Sequence, residues 1–348
     1  MMDISRNSLR SATLFVRSLL SYTAAVVCVA CSGSAHAVSC TTPSEMKEPV
    51  RSAIVTAART IAQKSQANDV AGVKASTVPS VAASFGGIAN AIQNLSPLIS
   101  GATLNVTSVY DLNATDAPAG QDEIQFFCGV AANAAHVTFT IPQLPPGHYA
   151  FATVEATGVK SPQRIALLLQ QAAPPAGTLQ LAGFFPRPLL AAGHDGVWYW
   201  EKARSYAKAG QPWNAYFYFQ TAAYLLLPAD FVSSANLEKL LQEQSAATPP
   251  GLPGALPMTV SAQGTQFSVT DMHTDASFGG LDMVIGYNTS DVSDSAATRT
   301  RTVALMKALL LQHPEWKEAF HGLWVFANAP NQHPFALELP MADIPSQP

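Results

Sequence analysis

Just after Gly101 the spacing of apolar residues changes from helical to alternating, and this switch confines the chain to folds that segregate helices from strands. Before it, Met46, Val50, Ile54, Ala58 and Ile61 recur at intervals of three and four. Ile88, Ala91, Ile92, Leu95 and Ile99 do the same, and Gly101 supplies a stop. Both runs put their apolar side chains on one helix face. Thr42-Pro43-Ser44-Glu45 has the form of a capping box, with proline where a first helical residue would stand. It predicts that the first helix begins there.

After the switch, Leu104, Val106 and Tyr110 fit one strand. Ile124, Phe126 and Cys128 fit a second, and Val137, Phe139 and Ile141 a third. Pro145-Pro146-Gly147 supplies a turn before a strand over Tyr149–Ala156, and Ile165–Leu169 forms a fifth, more fully apolar strand. Two helices followed by an antiparallel meander predict an α+β unit with helices on one sheet face. Over residues 42–171 this element order resembles the cystatin-like and NTF2-like α+β rolls. The resemblance implies a fold and leaves function open, because such rolls host enzymes, ligand pockets and scaffolds alike.

Gly196 to Phe231 reads as two helices broken at Gly210-Gln211-Pro212. Tyr199, Tyr206, Gly210, Ala215, Phe219, Ala222 and Pro228 resemble a tetratricopeptide repeat (TPR), with the proline one position late and Lys202 and Ala203 where that family carries leucine and glycine. The resemblance implies a helical hairpin at about 196–229. A single such unit cannot build a solenoid, so it is expected to pack on a neighbouring part of the chain. A third helix over Ser234–Gln244 would cap the pair.

The last region alternates again. Met258–Ala262 and Gln266–Met272 predict a hairpin around Gln263-Gly264, continued by Leu281–Tyr287. Ala297–Gln312 predicts a helix with Val303, Met306, Leu309 and Leu310 on one face, and Leu323–Ala327 and Phe335–Leu339 predict final strands. Proline-rich stretches at 172–177 and 249–254 read as linkers. The expected organisation is a signal peptide at 1–37, an α+β roll at 38–173, a TPR-like segment at 178–248 and a small α+β unit at 255–342.

Residues 1–37 carry a basic start ending near Arg17, an apolar run through Ala24–Ala30 and a small-x-small close at Ala35-His36-Ala37. That is the pattern of a cleaved secretory signal. Lipid attachment at Cys31, after Val29-Ala30, is the alternative, and an uncleaved anchor is a third, although the run is short for a bilayer. Beyond residue 37 no run is long and apolar enough for a transmembrane helix. Cys40 and Cys128 are the two cysteines left after cleavage, and an oxidising compartment predicts one disulfide between them, two buried thiols being the alternative. The expected location is the bacterial periplasm or the medium. Four glycosylation sequons, at Asn94, Asn105, Asn113 and Asn288, would matter only in a eukaryotic secretory pathway.

Of the 348 residues 12% are charged and 48% are apolar, which excludes a disordered chain. Removing the +2 of the signal from a net charge of −4 leaves −6, with no basic block to recruit nucleic acid or anionic lipid. The nucleophile elbow, the P-loop, the dinucleotide fingerprint and the zinc-protease helix motif are all missing, and no cofactor is implied. Trp198, Tyr199, Trp200, Tyr206, Trp213, Tyr216, Phe217, Tyr218, Phe219 and Tyr224 form an aromatic concentration too large for one inner helix face, with Trp198, Trp200, Trp213, Tyr216 and Tyr218 foremost. They are candidate contacts for a protein or peptide, or for a sugar or small ligand, with packing inside the chain as the competing reading. Asp271, His273 and Asp275 alternate on one strand face and are candidate metal ligands, with Asp282 as a further donor and a plain solvent edge as the competing reading. His194-Asp195 reads as a helix cap before it reads as a base with its carboxylate. His313, His321 and His333 read as isolated. The leading functional expectation is an exported binding or assembly module of the cell envelope that is not an enzyme. An exported hydrolase, with its site in the roll or near His273, and a small-ligand carrier are the alternatives.

Overall fold

The computed structural model describes residues 38–129, 136–172 and 177–344. The predicted signal peptide with Cys31, and residues 173–176 of the first predicted linker, lie outside the described residues.

The N-terminal part consists of β1 (Ser39–Thr41), α1 (Glu48–Gln66), α2 (Val70–Ala75), α3 (Pro79–Ala82), α4 (Gly86–Ile99), β2 (Thr103–Asn113), β3 (Glu123–Gly129), β4 (His136–Pro142), β5 (His148–Thr157), β6 (Gln163–Gln171) and β7 (Leu179–Pro188). Its main sheet is antiparallel in the order β1-β2-β5-β6-β7. Alternation along the central strands explains the layering. Ala150, Ala152, Val154, Ile165, Leu167 and Leu169 face the helices, with Ile54, Ile61, Ile92 and Ile99 of α1 and α4. Tyr149, Phe151, Ala166 and Leu168 face the other way, onto Phe126, Phe139 and Ile141 of the β3–β4 hairpin. Both faces are covered, which is why β5 and β6 read as nearly continuous apolar runs.

Two local expectations are corrected. The strands do not form a simple meander, because β2 pairs directly with β5 and the β3–β4 hairpin folds over the far face. Nor does Thr42 cap α1. Its carbonyl accepts the N–H groups of Glu45 and Met46, its hydroxyl donates to Glu45 Oε2 at 2.8 Å, and the helix starts at Glu48 with Pro49 in its first turn. Pairing of β1 with β2 holds residues 39–41 extended, so residues 42–46 are spent on a turn. The disulfide is present: Cys40 on β1 bonds Cys128 on β3, with Cα atoms 5.2 Å apart, and fastens the hairpin to the main sheet.

The middle of the chain holds β8 (Leu190–Ala191), β9 (His194–Asp195), α5 (Gly196–Lys208), α6 (Pro212–Leu226), β10 (Val232–Ser234) and α7 (Ala235–Ala246). Gly210, at φ 75°, makes the turn between α5 and α6. β10 pairs with β4, so this region completes the small sheet β10-β4-β3.

The C-terminal part contains β11 (Met258–Ala262), β12 (Thr265–Asp275), β13 (Asp282–Asn288), α8 (Ser295–Gln312), α9 (Trp316–Ala319), β14 (Gly322–Asn328), β15 (Phe335–Pro340) and a 3₁₀ turn at Met341–Asp343. The sheet runs β11-β12-β13-β14-β15, and β13 and β14 are parallel because α8 forms the crossover between them. Asp294 caps α8, its Oδ1 accepting the N–H groups of Ala296 and Ala297 at 3.0 Å. Met283, Ile285 and Tyr287 share one core with Leu305, Met306 and Leu309 of α8 and with Tyr199, Trp213, Phe217, Tyr218 and Phe219 of α5 and α6. Helices segregated beside largely antiparallel sheets make this an α+β protein.

Candidate functional site

A cleft of about 930 Å³ opens where three parts of the chain meet. The turn after β5 contributes Lys160 and Ser161, β6 contributes Gln163, and β7 and β8 contribute Pro188 and Leu190. One side of α6 adds Gln220, Thr221 and Tyr224, spaced as one helix face requires. The end of β12 and its following loop add His273, Thr274, Asp275, Ser277 and Gly279.

The lining sets neutral hydrogen-bonding groups among apolar side chains such as Leu98, Leu190 and Leu281. Thr221 and Thr274 hydroxyls are 2.8 Å apart, joining α6 to β12. Gln163 is buried and its Nε2 donates to the Ser161 carbonyl at 3.1 Å. Gln220 Oε1 is buried and meets no donor among the described residues. Tyr224 leaves 51% of its surface exposed, and the Arg187 guanidinium lies 5.2 Å from its ring centroid. Lys160 and Asp275 bring one charge of each sign.

The aromatic candidates divide. Trp213 and Tyr218 are buried, so the expectation that they present a contact surface is corrected. Trp213 packs edge-on to Trp316, and the Tyr218 hydroxyl donates to the Ala319 carbonyl. Burial raises the pKa of both Tyr199 and Tyr218, to about 12 for Tyr199. Trp198 is half-buried and stacks on His194 with ring centroids 3.6 Å apart. Trp200 Nε1 donates to Glu243 Oε2 at 2.7 Å, and the Arg204 guanidinium sits 4.4 Å from its ring centroid while pairing with the same carboxylate. It therefore latches α5 to α7. Tyr216 is half-buried, edge-on to Phe217. Asp195 caps α5, accepting the Trp198 N–H at 2.8 Å. His313 lies against Trp213 and Trp316, and burial pushes its pKa down. His333 is exposed.

The three predicted metal ligands do not converge. His273 Nδ1 pairs with Asp271 Oδ2 at 2.8 Å, but Asp275 Oδ1 turns to accept the Ser277 N–H at 2.7 Å. Successive same-face positions on a strand stand about 7 Å apart, too far for one small ion unless a side chain swings across. Among the described residues the one group of three that brings ligand atoms together is Asp282, His321 and Glu338, all within 4.8 Å of one another. Asp282 is fully buried, and His321 Nδ1 lies 3.0 Å from its Oδ1. Burial raises the pKa of the Asp282 carboxyl, and burial and then the charge of Asp282 raise that of Glu338.

Sequence reasoning also passed over Phe278, Trp324 and Phe326. Their rings lie 4.9 Å apart in succession, on the sheet face opposite α8. The signal was there: Leu323, Val325 and Ala327 alternate with Trp324 and Phe326, and the first set fills the core. Comparison of the chain with protein-family models, with curated proteins and with solved structures gave no match.

Proposed function

We propose that this is an exported binding module whose ligand is a peptide or a polar protein segment seated in the cleft beside α6. The observation that carries this reading is Gln220 on the cleft wall, whose buried Oε1 meets no donor among the described residues. A buried acceptor of this kind costs about 1–3 kcal/mol when left unmade, and turning the Gln220 amide into the cleft to meet a ligand N–H would remove that cost. Half-exposed Tyr224 supplies an aromatic contact next to it. The Cys40–Cys128 disulfide supports export, and no helix of the described residues is long and apolar enough to cross a membrane. A TPR-like origin for α5 and α6 belongs to the same proposal, supported by burial of Tyr199, Tyr206, Ala215, Phe219 and Ala222 and by the left-handed turn at Gly210.

The test is a photo-crosslinking residue placed at Tyr224, with exposed Leu256 as control, in protein expressed in its own exporting cell. A peptide or protein adduct is expected at 224 and not at 256, and it should fade when Gln220→Leu is added. Equal labelling at both positions, or none at 224, would overturn the proposal.

A further inference from the structure

We propose that Asp282, His321 and Glu338 form a binding site for one divalent transition-metal ion, Zn²⁺ or Mn²⁺ in class, separate from the cleft. Three adjacent strands build it. Asp282 opens β13, His321 immediately precedes β14, and Glu338 lies on β15 opposite Trp324. Sheet register therefore holds the donors in place, as a preorganised site requires.

The site lacks positive charge. Asp282 is fully buried and its Oδ2 has no partner among the described residues, and Glu338, a half-buried residue, likewise keeps a buried Oε1 with no partner there. Only Asp282 Oδ1 meets a donor, so two carboxylates held this close are strongly unfavourable as a pair of anions unless a proton or a cation joins them. His321, with 43% of its side chain exposed, is the only basic group of the three, and it reaches Asp282 Oδ1. With a neutral imidazole and both carboxyls ionised the set carries −2, which a divalent ion neutralises.

Gly322 makes the approach possible. A Cβ there would stand 2.8 Å from Glu338 Oε1, 2.9 Å from Asp282 Oδ1 and 2.7 Å from the Leu339 carbonyl. Any larger residue would push the two carboxylates apart. Gly280 does the same for the imidazole, since its Cβ would run into that of His321. Donors on a tetrahedral shell of 2.0–2.2 Å stand about 3.4 Å apart, so the set must close by roughly an ångström. Half-exposed His321 and Glu338 have the freedom to do this. One nitrogen and two carboxylates leave a position open for water or a ligand. They suit Zn²⁺ or Mn²⁺ better than Ca²⁺, which takes six to eight oxygens.

The experiment is a calorimetric titration of the chelator-stripped, disulfide-intact protein with Zn²⁺ and, separately, Mn²⁺. One equivalent of at least one of these ions should bind with a Kd of 10 μM or tighter and raise Tm. Glu338→Gln and His321→Ala should each weaken binding at least tenfold, Gly322→Ala should do so with all three ligands intact, and His273→Ala should leave it unchanged. Circular dichroism confirms that each variant is folded. If neither ion binds at one equivalent, or if Glu338→Gln and His321→Ala bind as the parent does, the proposal is wrong. Loss of binding in His273→Ala alone would overturn it in favour of the Asp271–His273 pair.

Discussion

Tyr218 ties α6 to the end of α9, because its hydroxyl is the donor to the Ala319 carbonyl. Tyr218→Phe keeps the ring in the aromatic core and removes that bond together with the hydroxyl contact to Tyr206, so it should cost about 1–3 kcal/mol, read as a lower urea midpoint with unchanged slope. His148 illustrates the opposite case, a charged contact near solvent. Its Nε2 lies 2.7 Å from Asp111 Oδ1 and its Nδ1 2.7 Å from Gln171 Oε1, joining β5 to β2 and β6. The hydrogen bond to Asp111 outweighs desolvation and raises its pKa above 6.5. Folding then favours the imidazolium. The contribution is complete below pH 6.5 and disappears as pH rises through the raised value. With 38% of the side chain exposed and the pair screened, it should stay below about 1 kcal/mol. The stability difference between the parent and Asp111→Asn should shrink between pH 5.5 and pH 8.5, measured by urea unfolding.

Paired arginines fix how α6 meets the main sheet. Arg164 on β6 and Arg187 on β7 face each other in the register. Arg164 donates to the Leu225 and Leu226 carbonyls, and Arg187 to the Tyr224 carbonyl and the Asp230 carboxylate. These are the unpaired carbonyls at a helix C-terminus, where positive charge is favoured. Arg164→Met should cost about 1–3 kcal/mol and loosen the cleft wall, visible as faster hydrogen exchange at the end of α6. At this scale most of the fold was legible. The switch from helical to alternating spacing located α1, α4 and β2 to β6, and the C-terminal strands and α8 followed the same rule. β7 escaped because Pro186 and Pro188 argue against a strand, yet it is an edge strand, where proline is tolerated. β10 escaped because three residues carry no period. The cleft needed three distant segments, and Asp282, His321 and Glu338 were separated by the α8 crossover, so His321 read as isolated. Asp195 was legible as a cap because a cap is local.

In the whole molecule the disulfide is the longest covalent constraint. It closes a separation of 88 residues and joins the main sheet to the β3–β4 hairpin. The double variant Cys40→Ser, Cys128→Ser should be destabilised by up to about 4–5 kcal/mol on the chain-entropy account, checked by thermal unfolding. Because Phe126, Phe139 and Phe151 still pack between the sheets, the reduced protein should keep its far-ultraviolet spectrum while its Tm drops.

The small sheet carries a consequence for how the chain comes into being. Its third strand, β10, is encoded far downstream of the β4 edge it covers. About 90 residues separate Pro142 from Val232, so a chain that emerges N-terminus first leaves that edge bare until the downstream strand arrives. Throughout that interval any extended strand nearby, including one from a sister chain, competes for the place that β10 will take.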